Sequence, residues 1–453
     1  AEGYPGARYY AGCEYVDQIE NLAIERGKNI FGSNHINVQP HSGSQANMAA
    51  YISLLSPGDK ILSLSLDHGG HLSHGHNVNF SGKIYEIHNY FLDKDSEMID
   101  FDALQKVADT VQPKLIICGF SAYSRKINFK KFKQIAESVG ALLMADIAHI
   151  AGLVVAKQHP SPVNIADIIT STTHKTLRGP RGGIAIISES LAKKYDRGIF
   201  PAVQGGPIMN NVLAKAVAFK EASTEEFVNY SKEIITNANL LCEHLKDKGI
   251  RVVSEKTENH LMLLDTRSVN LTGSEAEEKL NSVGIIVNKN AIPFDPQPPK
   301  ITSGIRIGTP AITTRKISKD DLLQIGDLIH ETLISTDVNK SSIKEKVTHI
   351  MNKLPLLLIF LLLVLGCGES SNSYNSSSIP LETGFNPKCS TYSAAITIYP
   401  SPYQGTLRRC IASDRQFYIY LPENYSEVGS SYPAMFSLHG YTSTALTNMS
   451  YTI

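Results

Sequence analysis

Four short apolar runs, residues 60–66, 114–119, 141–147 and 165–171, punctuate the first half of the chain, and helical patterns lie between them. Runs of that length read as strands buried on both faces, and their alternation with helices predicts a mostly parallel α/β sheet. Between the second and third runs, Asn128 is placed to cap a helix. Phe129, Phe132, Ile135, Ala136 and Val139 form its apolar stripe, and Gly140 falls just past its end.

A chain of 453 residues, 42% hydrophobic, holds more than one core, because single cores stop growing near about 250–300 residues. A large domain is expected over 1–222 and a smaller one over 223–350. In the smaller domain, residues 234–245 repeat at helical spacing, 250–253 and 261–264 read as strands, and Ser318 with Asp321 gives a capping-box-like start to a last helix. The 43 basic and 43 acidic residues balance, so composition offers no electrostatic basis for a nucleic-acid partner and favours a small-molecule enzyme. Cys13, Cys118 and Cys242 have neither paired nor metal-ligand spacing and read as reduced and cytoplasmic.

In sheets of this kind ligands gather beyond the carboxyl ends of the strands. Asp146 and His149 follow the third run, and His174 and Lys175 follow the fourth. Ahead of a predicted helix, Ser42, Gly43 and Ser44 supply hydroxyls, close backbone approach and free amides, which suit a phosphate, although such a motif before a helix is more often plain capping. The stretch TSTTHKTLRGPRGG sets Lys175 after a buried strand among His174, Arg178 and Arg181. Desolvation and neighbouring cations favour the neutral, nucleophilic amine that imine chemistry needs. His68, His71, His74 and His76 have spacings open to zinc, but no cysteine or carboxylate pattern beyond Asp67 supports a metal, and none is assigned.

The segments AEGYPGARYYAGCEYVD, VQPHSGSQAN, LDHGGHLSHG, NFSGKIY, GFSAYSR, MADIAHIAGLV, STTHKTLRGPRGG, QGGP, LTGSEAEE, VNKNAIPFDPQ and TSGIRIGTPA resemble serine hydroxymethyltransferases in order and spacing across nearly all of residues 1–335. That resemblance implies a fold-type-I pyridoxal-phosphate transferase with a large parallel-sheet domain and a small α/β domain. It implies a reaction between serine and tetrahydrofolate, a homodimer with shared active sites, and Lys175 holding pyridoxal 5'-phosphate as an imine, with His174 and Arg181 beside it. Asp146 is implied to pair with the ring nitrogen, His71 to stack on the ring, and His149 and Ser121 to meet the ring hydroxyl region. Gly43 and Ser44 are implied to hold the phosphate with Gly205 and Gly206 of the partner subunit. Arg306 is implied to clamp the substrate carboxylate, Glu2 to handle protons, and Tyr9 and Tyr10 to lie at the substrate. Leu66, Gly70, His71, Leu72 and Asn290 are implied to lie near folate. At Pro298 and Lys300 the chain departs from the family's more usual Ser and Phe. The family also carries a few dozen residues ahead of the position of Ala1, so the front is expected to be truncated.

A change of texture follows. Residues 351–367, MNKLPLLLIFLLLVLGC, have the layout of a secretory signal and resemble a lipoprotein signal ending at Cys367, which would direct export and lipid anchoring. Residues 415–425 and 432–444, with His439 and Gly440, resemble the first strands of a secreted α/β-hydrolase esterase, yet no G-x-S-x-G elbow occurs. An export signal after a cytoplasmic enzyme predicts two reading frames joined together. Two other readings stay open: a threonine aldolase or aminotransferase of the same fold type, and a lipid-anchored envelope protein with an inactive front half.

Overall fold

The computed structural model describes residues 1–335 and 340–354, and the backbone of 388–391, 405–412 and 415–422. The chain divides into two compact units, Ala1–Leu357 and Leu358–Ile453.

The first unit opens with a hairpin of β1 (Gly3–Tyr4) and β2 (Ala7–Arg8). There follow α1 (Glu14–Phe31), β3 (Ile36–Asn37), α2 (Gly43–Leu54), β4 (Lys60–Leu64), α3 (Phe80–Ile84), β5 (Glu86–Tyr90), α4 (Phe101–Val111) and β6 (Leu115–Cys118). Next come α5 (Phe129–Ser138), β7 (Leu142–Asp146), α6 (Ala151–Val155), β8 (Ile168–Thr172), β9 (Gly183–Ile187), α7 (Glu189–Arg197) and α8 (Met209–Ala222). The four apolar runs are β4, β6, β7 and β8. The fourth starts later than its apolar character suggests, because the amides of Ile165 and Ala166 both donate to the Pro162 carbonyl and fold that stretch into a turn.

These strands form a seven-stranded sheet in the order β3-β9-β8-β7-β6-β4-β5. Strands β4 to β8 run parallel, but β9 is antiparallel to β8 and β3 antiparallel to β9, so the expected parallel sheet is mixed. Side chains alternate between two layers, as the pleat requires. Leu62, Ile116, Leu143 and Ile169 point toward a core with α1, α4, α5 and α8, and Ile61, Leu115, Met144 and Ile168 point toward one with α2. In α5 the Asn128 side chain accepts from the Lys131 amide, Phe129, Phe132, Ile135 and Ala136 are buried, and Gly140 has φ +67°.

The second part of this unit holds α9 (Glu225–Asp247), β10 (Arg251–Val252), β11 (Leu261–Asp265), α10 (Gly273–Ser282), β12 (Asn288–Asn290), β13 (Gly304–Gly308), α11 (Pro310–Thr314), α12 (Lys319–Ile334) and α13 (Lys340–Lys353). Its sheet is antiparallel, in the order β10-β11-β13-β12. Helix α9 joins two cores: Phe227, Tyr230 and Ile234 pack with the large sheet, and Ala238, Leu241, Cys242 and Leu245 with the small one. At α12 the Ser318 hydroxyl accepts from the Asp321 amide, but the Asp321 carboxylate takes the Ser318 hydroxyl and not the capping amide, so half of a capping box forms. Helix α13 buries Ile343, Val347 and Ile350, and Arg315 donates to the Met351 and Leu354 carbonyls, so Met351 to Lys353 of the signal-like stretch are helical in this unit.

In the second unit, β14 (Lys388–Thr391), β15 (Gly405–Ala412) and β16 (Arg415–Pro422) form an antiparallel sheet. Cys367, residues 423–425 and residues 432–444 with His439 and Gly440 lie outside the described residues. Among the described residues no helix is long and apolar enough to cross a membrane.

Candidate active site

The sheet order reverses at β4: the chain passes outward to β5, then back to β6 on the other side. Such a switch point opens a crevice at the carboxyl ends of the strands. The loops there carry Leu66 to Leu72 after β4, Ser121 after β6, His149 after β7, and His174 with Lys175 after β8.

Lys175 is half-buried, and among the described residues its Nζ has no hydrogen-bond or ion-pair partner. Burial, with Arg306 and Arg181 nearby, holds its pKa below the ordinary lysine range although Asp146 pulls the other way. Asp146 at the end of β7 brings a carboxylate to the crevice. Its Oδ2 accepts from His74 Nε2 (3.0 Å) and Asn47 Nδ2 (2.9 Å), and its Oδ1 from the Ala148 amide (3.0 Å). Burial alone would raise its pKa, but the His74 hydrogen bond and charge, His71 and Asn47 bring it well below the carboxylate range. An ionised carboxylate therefore faces the cleft with acceptor capacity left on Oδ1.

His71 Nδ1 accepts from the Ser73 amide, and burial together with His74 lowers its pKa to about 4. Burial, Lys175, His260 and Arg306 push His149 well below its usual value, so both rings are neutral. His149 lies against His260, with ring centroids 5.7 Å apart and planes 24° from parallel. His174 Nδ1 is buried and has no hydrogen-bond partner among the described residues. From β13, half-buried Arg306 donates Nη1 to the Ser121 carbonyl (2.8 Å), and no carboxylate among the described residues pairs with it. A desolvated guanidinium with donors to spare is built for an external anion.

At the start of α2, Ser42 accepts from the Gln45 amide, so the capping reading of the Ser-Gly-Ser motif holds for Ser42. The amides of Gly43 and Ser44 have no acceptor among the described residues, a helix start that suits an anion, and Gly43 packs against Thr172 at the end of β8, three residues before Lys175.

A second cluster gathers the other expected residues. The Glu2 carboxylate lies beside Gly205, the Tyr10 hydroxyl donates to it (3.4 Å), and Tyr9 packs edge-on against Phe200. Gly206 faces Ala1, and Tyr9 and Tyr10 are 75% and 60% exposed. No hydrogen bond or ion pair among the described residues joins Glu2, Tyr9 or Tyr10 to Lys175, Asp146 or Arg306. Arg181 is exposed at the rim. A third group forms between the loop of Leu66, Gly70 and Leu72 and the segment after Asn290, where the His68 ring meets Phe294 with centroids 4.5 Å apart.

Sequence reasoning passed over His74, Asn47 and His68 as positioning groups. A histidine in a glycine-rich loop carries no mark of its partner, and the one available signal was the spacing of His68, His71, His74 and His76, which was open to zinc and to which no metal was assigned. The histidines diverge instead: His74 turns to Asp146, His68 Nδ1 accepts from the Leu92 amide, and His76 Nδ1 from the Val78 amide. Among the described residues no three His, Cys, Asp or Glu side chains are grouped to hold a metal.

The family model for serine hydroxymethyltransferase matches residues 1–329. This chain belongs to the serine hydroxymethyltransferase family. Its members are pyridoxal-phosphate-dependent transferases of one-carbon metabolism that also use tetrahydrofolate. The cleft of this family member fits such a cofactor: a free amine at Lys175, an ionised carboxylate at Asp146, unpaired amides at Gly43 and Ser44, and an orphaned nitrogen at His174 are the donors and acceptors an aldehyde, a pyridinium and a phosphate call for.

Proposed function

We propose that the chain is a serine hydroxymethyltransferase, converting serine and tetrahydrofolate reversibly into glycine and 5,10-methylenetetrahydrofolate. The observation that carries this reading is one cleft holding a Lys175 amine and an Arg306 guanidinium that, among the described residues, have no hydrogen-bond or ion-pair partner and no carboxylate partner respectively. The first suits a carbonyl cofactor and the second an amino-acid carboxylate. Pyridoxal phosphate supplies, when bound, the electron withdrawal that weakens bonds at the substrate α-carbon.

In this reading Lys175 holds the cofactor aldehyde, Asp146 accepts from the ring nitrogen and keeps it protonated, and His71 covers the ring face. His149 and Ser121 lie at the ring hydroxyl, with His174 and Arg181 beside the lysine. The Gly43 and Ser44 amides take the phosphate, assisted by Gly205 and Gly206 of the partner subunit in a cytoplasmic homodimer. Arg306 orients serine by its carboxylate with a fork of donors. Glu2 holds or moves the proton at the substrate hydroxyl, with Tyr9 and Tyr10 alongside. The clustering of Glu2 and Tyr10 with Gly205 and Gly206, with no hydrogen bond or ion pair from Glu2 or Tyr10 to Lys175 among the described residues, supports a site completed across two subunits. Leu66, Gly70, Leu72 and Asn290 line the folate pocket.

Serine cleavage measured with and without tetrahydrofolate tests this. Strict dependence supports it, and equal rates point to a threonine aldolase-like or aminotransferase-like enzyme. The reading of 351–367 as a lipoprotein signal is a separate proposal, tested by radiolabelled palmitate on the intact product; a soluble, unlipidated product overturns it.

A further inference from the structure

Lys215 on α8 is 1% exposed, and its Nζ donates to three backbone carbonyls: Val38 (2.6 Å), Gly183 (2.8 Å) and Pro40 (3.1 Å). Three donors meeting three acceptors is the pattern of an ammonium, since a neutral amine has two. Yet no carboxylate among the described residues bonds to it. A buried cation satisfied only by dipoles is costly unless a negative charge lies close by.

The carbonyls show where that charge belongs. Val38 and Pro40 lie on the segment that leads into Ser42 and Gly43 at the start of α2, and Gly183 begins β9 at the end of the loop that carries Lys175. Gly183 sits so close to that helix start that a Cβ on it would stand 2.4 Å from the Ser42 carbonyl oxygen, and the Gly183 amide donates to Pro40. Lys215 therefore clasps the two segments together behind the unpaired Gly43 and Ser44 amides. The other titratable groups that feel it are Glu20 on α1, bonded to Arg8 and Gln39, and His41, whose pKa burial and then Lys215 lower.

We propose that Lys215 is a positioning residue for the phosphate cradle, a buried cation whose charge stabilises a phosphate monoester dianion bound at the start of α2. This rests on the pyridoxal-phosphate reading above. Burial lowers the Lys215 pKa to about 7 although Glu20 raises it, so an anion in the cradle should keep the ammonium protonated to higher pH.

The test uses the full chain carrying Lys175→Ala, so that covalent capture does not contribute, with and without Lys215→Met. Equilibrium binding of pyridoxal 5'-phosphate is compared with that of pyridoxal. The expected result is a loss of at least about tenfold in affinity for the phosphorylated ligand, with pyridoxal changed by less than about twofold. Equal losses for both ligands would reduce Lys215 to a structural clasp and overturn the inference. No preference for the phosphorylated ligand in the Lys175→Ala protein itself would instead overturn the cofactor reading. Should Lys215→Met not fold, the same preference is followed from pH 7 to pH 9 with Lys215 intact: it falls by up to about tenfold per pH unit, and a flat profile contradicts the proposal.

Discussion

The imidazole of His74 and the carboxylate of Asp146, 72 positions apart, meet at 3.0 Å, both nearly out of water, at the carboxyl end of the central strands. His74 thereby orients the carboxylate that the proposed chemistry needs, and Asn47 holds the same oxygen from α2.

Replacing His74 by Leu removes a hydrogen bond to a charged acceptor and is expected to lower stability by about 1.5–3 kcal/mol near pH 7. Asp146 has a depressed native pKa, so its contribution is full above the unfolded value of 3.8 and is lost as pH falls through the native one. The variant's stability therefore falls less than that of the native protein as pH drops below about 4. Urea titrations at pH 7 and pH 3 check this.

Arg306→Lys keeps the charge and loses the planar fork. KM for serine should rise about tenfold to a hundredfold while kcat changes less, because the guanidinium binds the carboxylate before and during the reaction. Steady-state kinetics with varied serine decide it, and an unchanged KM removes Arg306 from the substrate site.

The N-terminal arm depends on Arg8, whose side chain is 3% exposed and bonds Asp17 (2.8 Å), Glu20 (2.6 Å) and the carbonyls of Ala1 and Gly3. Arg8→Met leaves Glu20 buried without its cation, at a cost of about 3–5 kcal/mol. Burial already raises the Glu20 pKa despite Arg8, and a raised acid is neutral at low pH, so the loss should be larger at pH 8 than at pH 5. Equal losses at both values would place the effect in packing alone.

Much of the large domain was legible because β4, β6, β7 and β8 are buried on both faces and their apolar runs carry no competing signal. The cap at Asn128 was legible for the same local reason. Strand β3 was not, since Ile36 and Asn37 are too few to show a period, and β9 turns back against β8 after a glycine-rich loop whose direction no pattern encodes. In the site, Asp146 and Lys175 stand at or just past the ends of β7 and β8, where position drew attention to them, whereas Arg306 lies in the middle of β13 and only the family resemblance pointed to it. Lys215 was invisible: it occupies a core position on α8 between Val212 and Phe219, and only the three carbonyls around it explain a lysine there. His74 and His260 were hidden likewise, because their roles depend on partners far away in sequence.

The central claim is that Lys175 is the amine that holds the cofactor. Visible absorption spectra of the full chain with pyridoxal phosphate, recorded for the native protein and for Lys175→Ala, test it most directly. The account predicts a protein-bound absorption band in the native protein that Lys175→Ala lacks. Identical spectra for the two proteins would contradict it.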